Sequence, residues 1–347
     1  MRGLLMTREH TVLDFRFLIE PAVSVIIPAF NVERYIEEML YSLEMQVFTD
    51  FEIIVVDDGS TDETFNIVRK YLSGSKVGGC LIMQGNSGVS VARNTGLQYA
   101  RGRYVCFVDA DDTVSPYYLK TLYDANIKNN TTIALCSFIT LSEGSPHSSC
   151  GLSEGEVRVC ESLRLMRNML LGKIGVGCWS LLIQRELLIK EGIYFAEGYR
   201  YSEDLHFVWR ALAHVDKVSL CNRRLYNYRF REGSAMAKFG PERLEGLYLM
   251  EDLVRFFEVH CPSFGKEFEI HGVARWVWAT LWQAACALPY PKFIKLCNDL
   301  KAKERMKRLR DFSDVRVRLS SILFLINARA YYMIARTVAR IAGMNRF

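Results

Sequence analysis

The chain has 347 residues, half of them hydrophobic, enough to fill the core of one large domain with an appended piece or of two modest domains. Its formal charge of +5 is unevenly spread: from Lys292 onward fourteen Lys and Arg stand against four Asp and Glu, a surplus of 10 that leaves the first 291 residues at −5. Ten cysteines occur without CxxC or CxxH spacing, and Cys106, Cys136 and Cys286 lie in apolar runs, which speaks against a zinc site or disulfide framework and for reduced core thiols in a cytosolic setting.

The first twenty residues are interrupted by Arg2, Arg8, Glu9, His10, Asp14, Arg16 and Glu20, so they contain no apolar segment of signal-peptide length. Residues 1–21 read as a poorly ordered extension, with Phe15 to Ile19 available to pack on the body. Val23 to Pro28 is a β-branched run stopped by proline, and Glu33 to Leu43 then places Tyr35, Ile36, Met39, Leu40 and Leu43 at helical spacing. Phe51 to Val56 repeats the unit as a strand, followed by the turn Asp57 to Glu63 and a helix whose start is favoured by Ser60, Thr61, Asp62 and Glu63. Cys80 to Met83 leads through Gly85 to Gly88 into a helix from Val89 to Tyr99.

Tyr104 to Val108 reads as a strand buried on both faces, and Asp109, Asp111 and Asp112 follow at once. Like charges at close range raise each other's pKa and strain the ionised form. A divalent cation, or a sugar nucleotide held through one, removes that cost. Alternating strands and helices predict an α/β layer with a mostly parallel sheet, in which ligands bind beyond the carboxyl ends of the strands. Phe30, Asn31, Asp57, Asp58, Asn86 and Asp109 to Asp111 then line one crevice. No strand is followed by GxGxxG, which disfavours a nucleotide-dependent oxidoreductase.

A helix from Tyr117 to Asn126 and a strand from Thr132 to Phe138 extend the layer. Ser142 to Gly155 is a Ser- and Gly-rich loop, Glu161 to Leu171 is helical, and Gly172 to Gly177 is flexible chain before Cys178 and Trp179. Glu203 to His214 is an apolar-faced helix with Glu203 and Asp204 in its first turn. Beyond Pro241 the chain is mainly helical.

Val23 to Asn31, Ile54 to Asp62, Asn86 to Gly96 and Phe107 to Asp112, in that order, resemble the family 2 glycosyltransferases of the GT-A fold, inverting and of the bacterial surface-polysaccharide type. The resemblance covers roughly residues 22 to 235. It implies a GT-A type Rossmann-like sheet flanked by helices over 22–235, with a nucleotide-binding half at 22–115 and an acceptor half at 116–235, and a helical C-terminal region at 236–347. Pro28 and Phe30 would flank the nucleobase, where the family more often shows Tyr. Asp57 or Asp58 would accept a hydrogen bond from base or ribose, and Asn86 and Arg93 would hold base or diphosphate. Asp109-Ala110-Asp111 matches the DxD element: Asp111 toward Mn²⁺ or Mg²⁺, Asp109 toward ribose or the metal, Asp112 behind them. Asp204 stands at the family's base position with Glu203 orienting it or contacting the acceptor. Apart from the resemblance, Trp179 offers a flat apolar face either for an acceptor sugar ring or for the core. Tyr228 to Ser234 resembles a loop that closes over the diphosphate, with Arg229, Arg231 and Ser234 as donors; it has no histidine for the metal.

Lys301 to Arg318 is dense in Lys and Arg, and the apolar stretch from Leu319 to Ile341 is broken by Arg329, Arg336 and Arg340, which argues against a spanning helix. Two readings stay open: a basic amphipathic helix on an anionic membrane, or a helix packed on protein, including a second copy. No nucleic-acid module accompanies the charge. The expected function is metal-dependent transfer of a sugar from a nucleotide-sugar, taken first as UDP-linked, to a hydroxyl of a glycan or lipid-linked glycan, by a cytoplasmic enzyme peripheral to the inner membrane face. The alternative is a membrane-tethered, non-catalytic nucleotide-sugar-binding partner of a glycan assembly complex.

Overall fold

The structure, a computed structural model, describes residues 4–6, 10–17, 20–142, 156–230 and 239–341. In chain order its elements are β1 (Leu4–Met6), β2 (Thr11–Asp14), β3 (Val23–Ala29), α1 (Ile36–Glu44), β4 (Phe51–Asp57), α2 (Thr64–Gly74), β5 (Gly79–Met83), α3 (Val89–Tyr99), β6 (Tyr104–Phe107), β7 (Thr113–Val114), α4 (Tyr118–Asn129), β8 (Ile133–Ser142), β9 (Val157–Glu161), α5 (Ser162–Leu170), β10 (Leu181–Gln184), α6 (Arg185–Lys190), α7 (Glu203–Ala213) and β11 (Lys217–Phe230). Helices follow: α8 (Glu245–His260), α9 (Pro262–Glu267), α10 (Val273–Ala287), α11 (Tyr290–Asp299), α12 (Ala302–Lys307), α13 (Val315–Ile326) and α14 (Ala328–Ile341). They form two compact units. One comprises Met1–Ser162, Val176–Gly198 and Glu203–Phe230; the other comprises Leu163–Gly175, Tyr199–Ser202 and Arg231–Phe347.

The first unit holds the sheet, in the order β1-β2-β5-β4-β3-β6-β10-β8-β11-β7 with β9 beside β11. Its centre is parallel, β5-β4-β3-β6. Every residue of β3 and β4 is buried, which is why both read as unbroken apolar runs rather than alternating ones. Register levels the strand ends: Ala29 pairs with Asp57, Asp57 with Met83 and Ile26 with Phe107. The loops after β3, β4, β5 and β6 therefore emerge along one edge, as an α/β sheet with flanking helices requires for a shared crevice.

Two segments depart from the sequence reading. Residues 11–14 are not loose chain but an antiparallel strand on β5, with Val12 buried. Arg16, also buried, holds Asp14 at 2.6 Å and the buried Glu52 at 3.5 Å, so the extension supplies the cation for a carboxylate inside the sheet. Tyr228 to Phe230 is not a loop either: it ends the 14-residue β11, which runs parallel to β8. The expected loop residues 143–155, and 231–238 beyond β11, lie outside the described residues.

The second unit is helical around Val277, Leu281, Phe293, Met306, Phe324 and Tyr331, all buried. None of its described helices is long and apolar enough to cross a membrane. Among the described residues the cysteines are free thiols, with Cys80, Cys106, Cys136, Cys178, Cys221 and Cys297 buried.

Candidate active site

At the edge where the strand ends align, two loops lock together. Asn31, in the left-handed region at φ 51°, accepts from the Thr61 N–H at 2.9 Å, and its own N–H donates to Ser60 Oγ at 3.0 Å. This holds Phe30 outward, 45% exposed, while Pro28 is buried in β3. The neighbouring carboxylates differ. Asp57 caps its own turn, accepting from the Ser60 N–H at 3.1 Å. Asp58 accepts from Gln84 Nε2 at 2.8 Å and from the N–H groups of Ser87 and Gly88 at 2.9 and 2.8 Å. Between the loops Gly59 sits at φ +77°, where a Cβ would come within 2.9 Å of the Asn86 nitrogen. Asp58 is thus occupied in pinning the 85–88 loop that presents the exposed Asn86. Asp58→Ala is expected to cost about 1–3 kcal/mol in denaturant unfolding, because the buried Gln84 amide and the less buried N–H groups of Ser87 and Gly88 lose this acceptor, and Asp58→Asn less.

The three carboxylates after β6 are also separated by their surroundings. The N–H of Asp109 donates to the Tyr226 hydroxyl at 3.1 Å, and that hydroxyl donates to Asp112 Oδ2 at 2.7 Å. Asp112 Oδ1 accepts from the Arg229 N–H at 2.6 Å. Burial first, then the charges of Asp109 and Asp111, push the Asp112 carboxyl up to about 8. Asp112 is therefore a buried brace between β6 and β11, while Asp109 and Asp111 are half-buried and Ala110 is buried. Tyr226 was not evident from sequence. Its available signal was the mostly apolar stretch Val218, Leu220 and Cys221 around Ser219, which marks the start of a strand continuing into the tyrosines.

Helix α3 joins this loop to α7. Arg93 is buried, yet its guanidinium contacts Asp109 at 2.8 Å and Glu203 at 3.4 Å and lies 5.0 Å from the Phe195 ring centre. The amide of the adjacent Asn94 donates to the Phe195 carbonyl and to Glu197, and accepts from the Phe195 N–H at 2.9 Å. Phe195 stacks on Phe207 of α7 at 4.1 Å, with Phe107 of β6 edge-on to both. Glu203 is buried and Asp204 half-buried, its carboxylate accepting from the Leu205 N–H at 2.7 Å. Burial, then the neighbouring Asp204, push the Glu203 carboxyl up to about 7 against the pull of Arg93; burial raises Asp204 as well.

Other expected site residues fall differently. Trp179 is no open platform: it is 8% exposed, stacked on Tyr226 at 4.5 Å and Tyr228 at 5.8 Å, with Phe138 edge-on. Aromatic pairing accounts for the ring. The Arg229 guanidinium is held by Glu38 at 2.6 Å and lies 5.2 Å from the Tyr35 ring centre. Arg231 and Ser234 lie outside the described residues. Among the described residues no group of three or more His, Cys, Asp or Glu could hold a metal ion. The hard oxygens of Asp111 and Asp109 do fit Mg²⁺ or Mn²⁺, which are commonly held by one or two carboxylates with substrate phosphates completing the shell.

Residues 24–184 match the family model described as glycosyl transferase family 2. Uncharacterized glycosyltransferase EpsJ of Bacillus subtilis (strain 168) is 33% identical over 215 residues, 60% of this chain and 61% of EpsJ. Poly(ribitol-phosphate) beta-N-acetylglucosaminyltransferase TarS of Staphylococcus aureus (strain Mu50 / ATCC 700699) is 32% identical over 219 residues, 62% of this chain and 36% of TarS. The crystal structure of S. aureus TarS 1–349 in complex with UDP-GlcNAc superposes with a TM-score of 0.65 at 23% identity, covering 94% of this chain and 92% of that one. Sheet and superposition define the fold class as GT-A. The chain is thus similar to family 2 glycosyl transferases over residues 24–184 and to these curated relatives over about three fifths of its length. It spans less than two thirds of the length of either curated relative.

Proposed function

We propose that this protein transfers a sugar from a UDP-linked donor to a hydroxyl of a surface glycan, with inversion. The observation that carries the reading is the buried guanidinium of Arg93, 2.8 Å from Asp109 and 3.4 Å from Glu203, which ties the donor-side loop to the acidic start of α7. The relatives support the substrate class: TarS is named as an N-acetylglucosaminyltransferase acting on poly(ribitol-phosphate), and its structure was solved with UDP-GlcNAc.

In this reading Phe30 stacks on the base, Asp57 accepts from base or ribose, and Asp109 receives the ribose. Asp204 takes the acceptor hydroxyl proton while that oxygen attacks the anomeric carbon, and the bond to the nucleoside diphosphate breaks with its electron pair leaving on the diphosphate. Glu203, fixed by Arg93, orients Asp204. Bound at Asp111, Mg²⁺ or Mn²⁺ would neutralise charge on the departing diphosphate. Asp111→Ala is accordingly expected to remove the Mn²⁺-dependent part of UDP affinity, measured calorimetrically with and without the ion.

The acid pair also sets a pH dependence. With Glu203 raised to about 7 and Asp204 raised beside it, the pair retains a proton below neutrality, and the two titrate as a unit. Turnover that needs Asp204 ionised is lost as pH falls through its raised pKa and kept above it, so the kcat–pH profile should show an acidic limb above the usual carboxylate range. The direct test is a panel of UDP- and GDP-sugars with Mn²⁺, scored for binding and for slow donor hydrolysis. Binding with hydrolysis supports the reading; binding without it favours a non-catalytic partner; neither overturns both.

A further inference from the structure

The helical unit ends in two helices that expose several large apolar residues, with Thr337 exposed among those of the second. On α14, Tyr331, Tyr332, Ala335 and Ala339 are buried, with Tyr331 packed on Phe324 and Trp282. At about 100° per residue the other side carries Met333, Ile334, Val338 and Ile341, which are 58, 46, 44 and 82% exposed. Arg329, Arg336 and Arg340 fall in one row along the border of that face. Arg336 turns back to the Leu288 carbonyl and the Tyr332 hydroxyl, whereas Arg329 and Arg340 are exposed. On α13, Val317, Ser321 and Phe324 are buried while Val315, Leu319 and Ile326 are exposed. From Val315 to Ile341 there is no Asp or Glu.

Such a face needs a cover, and its charge says which. A helix of 14 residues is about 21 Å long, short of the roughly 30 Å hydrocarbon core, so it does not span a bilayer. A second copy joined through this face by a two-fold axis would set the same arginines against each other with no carboxylate from either helix. An anionic lipid surface offers both an apolar layer and phosphates. We propose that α14 docks this protein on an anionic bilayer, with Met333, Ile334, Val338 and Ile341 entering the headgroup–acyl boundary and Arg329 and Arg340 lying against lipid phosphates.

The test is co-sedimentation of the full chain with vesicles of phosphatidylcholine containing phosphatidylglycerol, and with phosphatidylcholine alone. The wild type should pellet with the anionic vesicles and at least about 30-fold less with the neutral ones. Ile334→Glu with Val338→Glu should lower partitioning by at least about tenfold at unchanged Tm. Arg329→Gln with Arg340→Gln should lower it about 30-fold, from on the order of 1 kcal/mol per cation. Equal pelleting of wild type and the glutamate variant would overturn the proposal. So would a wild type that ignores vesicles and sediments as a dimer which that variant splits. Vesicle binding needs no sugar nucleotide, so either result leaves the sugar-transfer reading to its own test.

Discussion

Asp204→Asn is expected to lower kcat by about 100- to 10,000-fold while leaving the Kd for UDP within about threefold. Asparagine keeps the size of the side chain and an acceptor for the Leu205 N–H, which the carboxylate meets at 2.7 Å, so helix α7 should start as before. What disappears is the capacity to take a proton. UDP affinity should hold because the groups assigned to it, Phe30, Asp57 and Asp109, lie at or just beyond the ends of β3, β4 and β6 and not on α7. Glu203→Gln separates the two acids: it removes a like charge beside Asp204, so the acidic limb of the pH profile should move to lower pH with only a partial loss of kcat. Unchanged turnover in Asp204→Asn would move the base elsewhere.

Arg93→Met is expected to be the most damaging single change at the site. The Arg93 side chain is 5% exposed, and without it Asp109 and Glu203 face each other's charge with no cation between them. Removing one partner of a buried ion pair costs about 3–5 kcal/mol, which should appear as a lowered unfolding midpoint in urea. Arg93→Lys keeps the charge, but lacks the two terminal nitrogens that reach Asp109 and Glu203 separately, and it should recover stability more than kcat. The kinetic split is informative. A residue that positions Asp109 and Glu203 lowers kcat with little change in donor KM; one that touches the base or diphosphate raises KM and weakens UDP binding.

The parallel centre of the sheet was legible because its strands are buried on both faces, as in Val23–Ala29 and Phe51–Asp57, and because each is followed by polar loop residues. The same logic located Phe30, Asp57 and the carboxylates after β6. Pairing across long sequence separations was not legible. Nothing local says that Thr11–Asp14 joins β5 through Arg16 and Glu52, or that Tyr226 braces Asp109 and Asp112 from the far side of the sheet. Arg93 shows the limit well. Its motif marks it as important, but a guanidinium that reaches two carboxylates from different elements is a property of the fold, not of the helix that carries it. Trp179 shows the converse: an aromatic before the acid pair is compatible with an acceptor platform until Tyr226 and Tyr228 are found stacked on it.

One measurement bears most directly on the proposed transfer: an NMR time course of the α-linked donor UDP-GlcNAc, or of whichever UDP-sugar binds, incubated with the protein and Mn²⁺. Release of UDP with the sugar appearing first as the β-anomer is the expected result, since a base at Asp204 activates an incoming hydroxyl to displace the diphosphate with inversion. Release of the α-anomer first, or no UDP from any donor that binds, would contradict it.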